Sequence, residues 1–213
     1  MPSLENDYDT DPGRWRAWRP PVDVHQQIAP ELRGPVLDGG CGEGRLASAL
    51  PDGVAWVGCD RSAAQLAANP YGPVVRADLA ALPFAQGCVA EVTQLWCLYH
   101  LEDPESAVAE AWRVLRPGGR YYACCAARTS DPELVPEGYP PTTFDAEEAA
   151  EIVGRVFARL EVERWDRPFF PLRSTEEVRS YCRQHRLDPK RAEGVRLPLW
   201  LTKRGVLVRA VKD

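Results

Sequence analysis

Three aspartates that could each bind part of a ligand follow short apolar runs in the first half of the chain: Asp38, Asp60 and Asp78. A glycine-rich turn, residues 39–44, directly follows the first of them. Such a turn lets a ligand lie against the backbone, and the acid before it suits a cationic ammonium group. A carboxylate at Asp60 can accept both hydroxyl protons of a ribose, and one at Asp78 can accept the amino protons of adenine. These residue types therefore indicate a site for an adenosine-containing ligand.

The turn alone leaves two ligand classes open. Residues 42–47 read Gly-Glu-Gly-Arg-Leu-Ala and satisfy the G-x-G-x-x-G/A pattern of dinucleotide-binding proteins. The acids Asp38 and Glu43, however, would repel a pyrophosphate placed on the turn. The charges therefore favour the amino-acid part of S-adenosylmethionine, and a nicotinamide dinucleotide, as in an oxidoreductase, is the alternative.

These acids require a sheet whose strands end at one edge. Apolar runs predict strands at 35–38, 54–59, 73–77, 88–98 and 120–126, and helical patterns separate them at 45–50, 62–69 and 104–115. This alternation is typical of a parallel sheet with helices on both faces, in which ligands bind at the carboxyl ends of the strands. The second half predicts helices at 147–157 and 175–185 and strand segments at 159–165 and 197–211.

The order of these motifs resembles the class I S-adenosylmethionine-dependent methyltransferases, of the UbiE-like small-molecule type. The matching segments are VLDGGCGEG at 36–44, GCDRS at 58–62, ADLAALPF at 77–84, LYHLEDP at 98–104 and VLRPGG at 114–119. Together they cover residues 34–126. The resemblance implies an α/β fold with a Rossmann-like, doubly wound, seven-stranded and mostly parallel sheet. Its last strand would be antiparallel, and residues 197–211 are available for that strand.

The same resemblance implies S-adenosyl-L-methionine as the cofactor and S-adenosyl-L-homocysteine as the product. It gives the methionine part to Asp38 and the turn, the ribose to Asp60, and the adenine edge to Asp78 with its neighbour. It also implies that two residues near the end of the fourth strand, Trp96 and Cys97, line the pocket. The predicted cofactor-binding residues are Asp38, Gly40, Cys41, Gly42, Gly44, Asp60, Arg61, Asp78, Leu79, Trp96 and Cys97.

His100 is the predicted catalytic residue, because it follows the fourth strand at the edge where ligands bind. A sulfonium methyl is already activated, so alignment with the acceptor matters most, and a base mainly helps phenol or alcohol acceptors. The alternative for His100 is a structural histidine that hydrogen-bonds loop backbone.

Two regions flank the motifs. Residues 1–33 are predicted to form an N-terminal arm and short helix that cap the cofactor site, with Tyr8 and Trp15 closing over the cofactor. Residues 34–213 are predicted to be the methyltransferase domain, and its proline-rich, motif-free part, 127–195, is predicted to specify the substrate. The ten arginines of 155–196 are interleaved with glutamates, which favours a mixed solvated face over an anion-binding surface.

Composition limits the partners. Among 213 residues, 26 basic and 31 acidic side chains give a net charge of −5, which argues against a strongly basic, nucleic-acid-binding surface. A small-molecule acceptor is therefore predicted, with an RNA or protein methyltransferase and a non-catalytic adenosyl-binding protein as alternatives. There is no apolar run long enough for a transmembrane helix, so no membrane partner is predicted.

The seven cysteines predict the redox environment. Their number is odd and no CxxC spacing occurs, so free buried thiols in a reducing cytoplasm are expected. The acidic, polar N-terminus is not typical of a signal peptide. No metal site is predicted, because no histidine completes a cluster with the adjacent Cys124 and Cys125.

Overall fold

A computed structural model describes residues 23–213. Seven strands form one sheet in the order β3-β2-β1-β4-β5-β7-β6. The strands are β1 Val36–Gly39, β2 Trp56–Asp60, β3 Val74–Arg76, β4 Val89–Leu95, β5 Leu115–Ala126, β6 Arg159–Leu172 and β7 Leu199–Val211. Strands β1 to β5 pair in parallel, whereas β7 is antiparallel to both β5 and β6. The predicted sheet, with its last strand antiparallel, is confirmed.

Five short helices accompany the sheet in the described part of the chain: α1 Val24–Ile28, α2 Ala63–Ala68, α3 Pro104–Val114, α4 Ala149–Gly154 and α5 Thr175–Gln184. The sequence explains the start of α3, because Asp103 accepts a hydrogen bond from Ser106 N and Pro104 occupies the first turn. Its buried residues, from Ala107 to Val114, recur at helical spacing and cover one face of the sheet.

The predicted helix at 45–50 is wrong. The segment consists of turns that end in a single 3-10 turn, Ala47–Ala49. Gly44 has a left-handed φ of +81° and Pro51 follows Leu50, so the residues between them are too few to sustain a helix.

Side chains of β5 alternate between two cores. Cys125 packs in the core beneath α3 and α4, and Cys124 packs in the core beneath α1, on the other face of the sheet. Adjacent cysteines on opposite faces cannot share a metal ion. All seven cysteines are free and only Cys88 is exposed, which confirms the prediction of unpaired thiols.

The hairpin β6–β7 extends past the end of β5. The last β5 residue, Ala126, pairs with Gly205, while β6 and β7 remain paired out to Leu172 and Leu199. This extension packs against α5 and residues 134–135 around a third buried cluster. It therefore forms a layer above the carboxyl edge of the sheet. Among the residues described, no helix is long and apolar enough to cross a membrane.

Candidate active site

The turn after β1 folds back onto β2. Gly40 N and Cys41 N both donate to the carbonyl of Cys59, at 2.8 and 3.0 Å. Gly42 N donates to Asp60 Oδ2 at 3.0 Å. The parallel register places Asp38 opposite Gly58, so the ends of both strands and the turn meet at one edge. Sequence positions 38 and 60 are thus brought to one site, as predicted.

Two glycines of the turn have a backbone conformation and close neighbours that disfavour any residue with a side chain. Gly40 has φ +71°, and a Cβ there would lie 2.5 Å from Cys97 Cβ. Gly44 has φ +81°, and a Cβ there would lie 2.5 Å from Asn69 Oδ1. Left-handed backbone and close neighbours together make side chains costly at both positions. The turn is therefore packed against its surroundings rather than a loose loop.

Asn69, the last residue of the predicted helix 62–69, also supports the turn. Its Nδ2 donates to Gly42 O at 2.9 Å, and its Oδ1 accepts from Tyr71 N at 2.9 Å. The side chain thereby links the end of α2 to the carbonyl face of the turn. No local signal identifies this role, because the contact spans 27 residues.

Asp38 is held in a nearly closed environment. Only 4% of the residue is exposed, and Thr93 Oγ1 donates to its Oδ1 at 2.8 Å. Burial raises the pKa of Asp38 to about 7, and the nearby charge of Asp60 acts in the same direction, while the Thr93 hydrogen bond opposes them. A buried carboxyl group with a pKa near 7 is suited to bind a cation, because the positive charge favours its ionised form. Thr93 was not anticipated, because its role depends on β4 lying beside β1.

Asp60 is positioned by backbone donors on both oxygens. Oδ2 accepts from Gly42 N at 3.0 Å and Oδ1 accepts from Ser62 N at 2.9 Å. These two backbone donors fix the carboxylate at the junction of β2 and the turn after β1.

The third predicted acid differs from the first two. Asp78 is exposed, and its Oδ1 accepts from Ala80 N at 2.9 Å. The following Leu79 is buried, with its Cδ2 only 2.9 Å from where a Cβ on Gly39 would lie. Leu79 therefore approaches β1 directly, whereas Asp78 is exposed in the loop after β3. Its role toward adenine remains a prediction.

The residues after β4 close the site on its other side. Trp96 has a left-handed φ of +59°, and its ring meets Trp165 edge-on, with centroids 6.1 Å apart. Cys97 is buried beneath Gly40, and its Sγ donates to Gly39 O at 3.4 Å. Burial raises the pKa of the Cys97 thiol well above its usual value, so it serves as packing and not as a nucleophile.

His100 lies one short 3-10 turn further, in the segment Leu98–His100. Its ring is 4.3 Å from that of Tyr99. Burial and, after it, the positive charges of Arg61 and Arg186 together lower the pKa of His100 to about 4. The imidazole is therefore neutral near pH 7. A neutral ring can accept a proton, but this low pKa makes it a weak base.

The described part of the N-terminal region lies beside the turn. Asp23 caps α1 and forms an ion pair with Arg45, which follows the glycines. Ile28 of α1 is buried in the core on this face. The predicted closure by Tyr8 and Trp15 lies outside the described residues, so the capping role of residues 1–33 remains a prediction.

Comparison with known proteins agrees with this geometry. Residues 37–123 match the family model described as "Methyltransferase domain". Over this region the chain is similar to known methyltransferase domains. The match confirms the resemblance over β1 to β5, and the matched residues include both Asp38 and Asp60.

Several known proteins are similar to the chain. A demethylmenaquinone methyltransferase of Thermus thermophilus is 38% identical over 118 residues, covering 50% of this chain and 51% of the relative. A probable S-adenosylmethionine-dependent methyltransferase of Mycolicibacterium smegmatis is 36% identical over 102 residues, covering 45% and 40%. The crystal structure of YcgJ from Bacillus subtilis has a TM-score of 0.62 at 16% identity, covering 89% of this chain and 97% of YcgJ, which shows a shared fold.

The matched region is only part of these relatives. The chain spans about half the length of the Thermus enzyme and less of the Mycolicibacterium protein.

Proposed function

We propose that the protein binds S-adenosylmethionine at the turn after β1 and transfers its methyl group to a small-molecule acceptor. The observation that carries the proposal is the pair of carboxylates on this turn, with Asp38 buried beside Thr93 and Asp60 tied to Gly42. The names of the two relatives, both methyltransferases, support it.

The residues present suit this cofactor better than a dinucleotide. S-adenosylmethionine brings a cationic ammonium and a cationic sulfonium to a site whose fixed charges are negative. A pyrophosphate would instead face Asp38 and Asp60 without an opposing cation on the turn. When bound, the cofactor supplies a methyl group that its sulfonium has already activated.

The residues of the site are expected to bind the cofactor and to orient it. Asp38 is expected to accept the ammonium protons, and Asp60, which Gly42 and Ser62 hold in place, is expected to accept the ribose hydroxyls. Leu79 is expected to pack against the adenine. Trp96 and Cys97 are expected to exclude water where the methyl is transferred.

His100 is placed to receive a proton on a ring nitrogen, but its low pKa limits that role. An amine or thiol acceptor that can lose its proton to water needs no such base. The proposal therefore does not depend on His100, and a structural role for this residue is compatible with it.

The finer assignments rest on weaker observations. A small acceptor is favoured over RNA by the net charge of −5. A cytoplasmic location is supported by the seven free thiols. The region 127–195, which includes the layer above the carboxyl edge, is the part proposed to specify the acceptor.

Calorimetry tests the proposal. S-adenosylmethionine, S-adenosylhomocysteine and NADH are titrated separately into the protein, and only the first two are expected to bind. The protein is then incubated with S-adenosylmethionine and either a small-molecule extract or total RNA, and S-adenosylhomocysteine is measured. Product formed only with RNA would contradict the small-molecule assignment, and binding of NADH alone would contradict the whole proposal.

A further inference from the structure

Thr93 lies on β4, directly beside Asp38. The parallel register pairs Asp38 with Gly58 of β2 on one side and with Thr93 on the other. Side chains two residues apart in a strand share a face, so Asp38 lies on the face of Val36 and Thr93 on the face of Leu95. Val36 and Leu95 both pack in the core beneath α1. A carboxyl group and a hydroxyl group therefore meet on a largely apolar face of the sheet.

The hydroxyl group distinguishes Thr93 from an apolar residue of the same shape. Thr93 is fully buried, and its Oγ1 donates to Asp38 Oδ1 at 2.8 Å. Burial of a hydroxyl group is unfavourable unless it forms a hydrogen bond, whereas valine would fill the same volume with apolar atoms only. The branched Cβ of threonine also restricts its rotamers, which keeps the hydroxyl directed at the carboxyl group. Position 93 therefore contributes an oriented donor.

The uncharged groups that face Asp38 do not replace this donor. The Trp56 indole of β2 favours the charged carboxyl, but its buried Nε1 has no hydrogen bond of ordinary geometry with the described residues. Three thiols also act on the same charge: Cys41, Cys59 and Cys97. Burial raises the pKa of each thiol well above its usual value, so all three are neutral near pH 7.

Asp38 also lacks an opposite charge to balance its own. Within residues 23–213, the charge that acts on it is that of Asp60, a second carboxylate. Burial and this repulsion both disfavour the ionised form, so the hydrogen bond from Thr93 works against them. Such an arrangement is costly in the free protein and becomes favourable when a cation binds. The buried donor and the unbalanced carboxyl group thus point to one task, the binding of a cationic group.

We propose that Thr93 is a positioning residue that holds the Asp38 carboxylate in place to receive the amino group of S-adenosylmethionine. The inference rests on the proposed function. Thr93 acts through Asp38 and is not itself expected to touch the cofactor. Because it donates to one oxygen of the carboxylate, it fixes the rotation of that group and also favours its charge. The pH range of cofactor binding is then set partly by a residue 55 positions away in the sequence.

The test compares variants that keep or remove the hydroxyl group. T93V keeps the shape of the side chain and loses the hydroxyl, whereas T93S keeps the hydroxyl. T93A differs from T93S by a single oxygen atom, so this pair carries the test if T93V does not fold. Binding of S-adenosylhomocysteine to the full chain is measured by calorimetry between pH 5.5 and pH 8.5. For the unmodified protein, the affinity should rise with pH and level off above about 7, as Asp38 becomes ionised.

Loss of the hydroxyl should move this profile to higher pH. A hydrogen bond to a charged group lowers the pKa of that group, so its removal should raise the midpoint by about one to two pH units in T93V and T93A. At pH 6 their affinity should be about ten- to a hundredfold weaker than that of the unmodified protein, and the difference should narrow above pH 8. T93S should follow the unmodified protein closely.

Unfolding of the unliganded protein gives a second readout that needs no cofactor. The difference in the free energy of unfolding between T93V and the unmodified protein should be constant below about pH 6 and grow between about pH 7 and pH 9. Y121F is the matched control, because the fully buried Tyr121 donates to Gln94 Oε1 at 2.6 Å, a bond that does not involve Asp38. Y121F should lose stability equally at every pH and keep the binding profile of the unmodified protein.

Several outcomes would overturn the inference. They are an equal loss of affinity in T93V at every pH, a loss in T93S as large as that in T93A, or a shift of the profile in Y121F as large as that in T93V. If the unmodified protein binds S-adenosylhomocysteine and these variants behave in one of those ways, only the role of Thr93 is wrong. If the unmodified protein binds none of this ligand at any pH, the proposed function itself fails.

Discussion

Replacement of Asp38 by asparagine should make the unliganded protein more stable at high pH while weakening the cofactor complex. Burial raises the pKa of this carboxyl from 3.8 to about 7. Between these values the folded protein holds a proton that the unfolded chain has lost. The contribution of this protonated carboxyl to the free energy of unfolding is therefore complete below pH 3.8. It is lost as the pH rises through the folded-state pKa of about 7.

The size of the effect follows from the shift. A difference of about 3 pKa units corresponds to at most roughly 4 kcal/mol, lost across this pH window from the free energy of unfolding. The asparagine side chain in D38N is uncharged at any pH, so the variant does not lose this part of its free energy of unfolding. Its stability relative to the unmodified protein should therefore increase by a few kcal/mol between pH 4 and pH 8.

The assay is urea unfolding of both proteins at several pH values, with D52N as the control, since Asp52 is exposed. Calorimetry of S-adenosylhomocysteine in buffers of different ionisation enthalpy gives the coupled proton release. If bound Asp38 is ionised, about 0.9 proton is released at pH 6 and about 0.1 at pH 8. The same pH dependence of stability in D38N and the unmodified protein, with no proton release, would refute this account of Asp38.

Three further predictions concern the turn and the arm. G40A should destabilise the protein by roughly 2–5 kcal/mol, because left-handed strain adds to the clash with Cys97, whereas G53A, at φ +82° with no neighbour within 4 Å, should cost only about 1–2 kcal/mol; equal losses in urea unfolding would contradict the clash. D60A should weaken S-adenosylhomocysteine binding by roughly 2–4 kcal/mol and should weaken an analogue without ribose hydroxyls much less; equal losses would mean that Asp60 only braces Gly42. Deletion of residues 1–20 should lower cofactor affinity in calorimetry, and an unchanged affinity would remove the proposed capping role.

The fold of residues 34–126 is predictable because the sequence patterns that indicate its strands and turns are local. Each of Asp38 and Asp60 ends an apolar strand, and strands that run parallel bring such ends together. Thr93 and Asn69 could not be predicted, because their contacts depend on which strands and helices become neighbours. Strand order is a property of the whole sheet and has no signal near either residue.

The second half is less predictable for a different reason. The sequence predicts a strand segment only at 159–165, yet β6 continues through Pro168 and Pro171 to Leu172. It can do so because β6 is the outer strand of the sheet, where a missing N–H donor breaks no ladder bond on the free side.

The most direct measurement of the central claim is a crystal structure of the protein with S-adenosylhomocysteine. The account predicts the amino group within hydrogen-bond distance of Asp38 and the ribose hydroxyls within hydrogen-bond distance of Asp60, with the ligand lying over Gly40 and Gly42. A ligand bound elsewhere, or one whose ribose and amino group contact neither carboxylate, would contradict it.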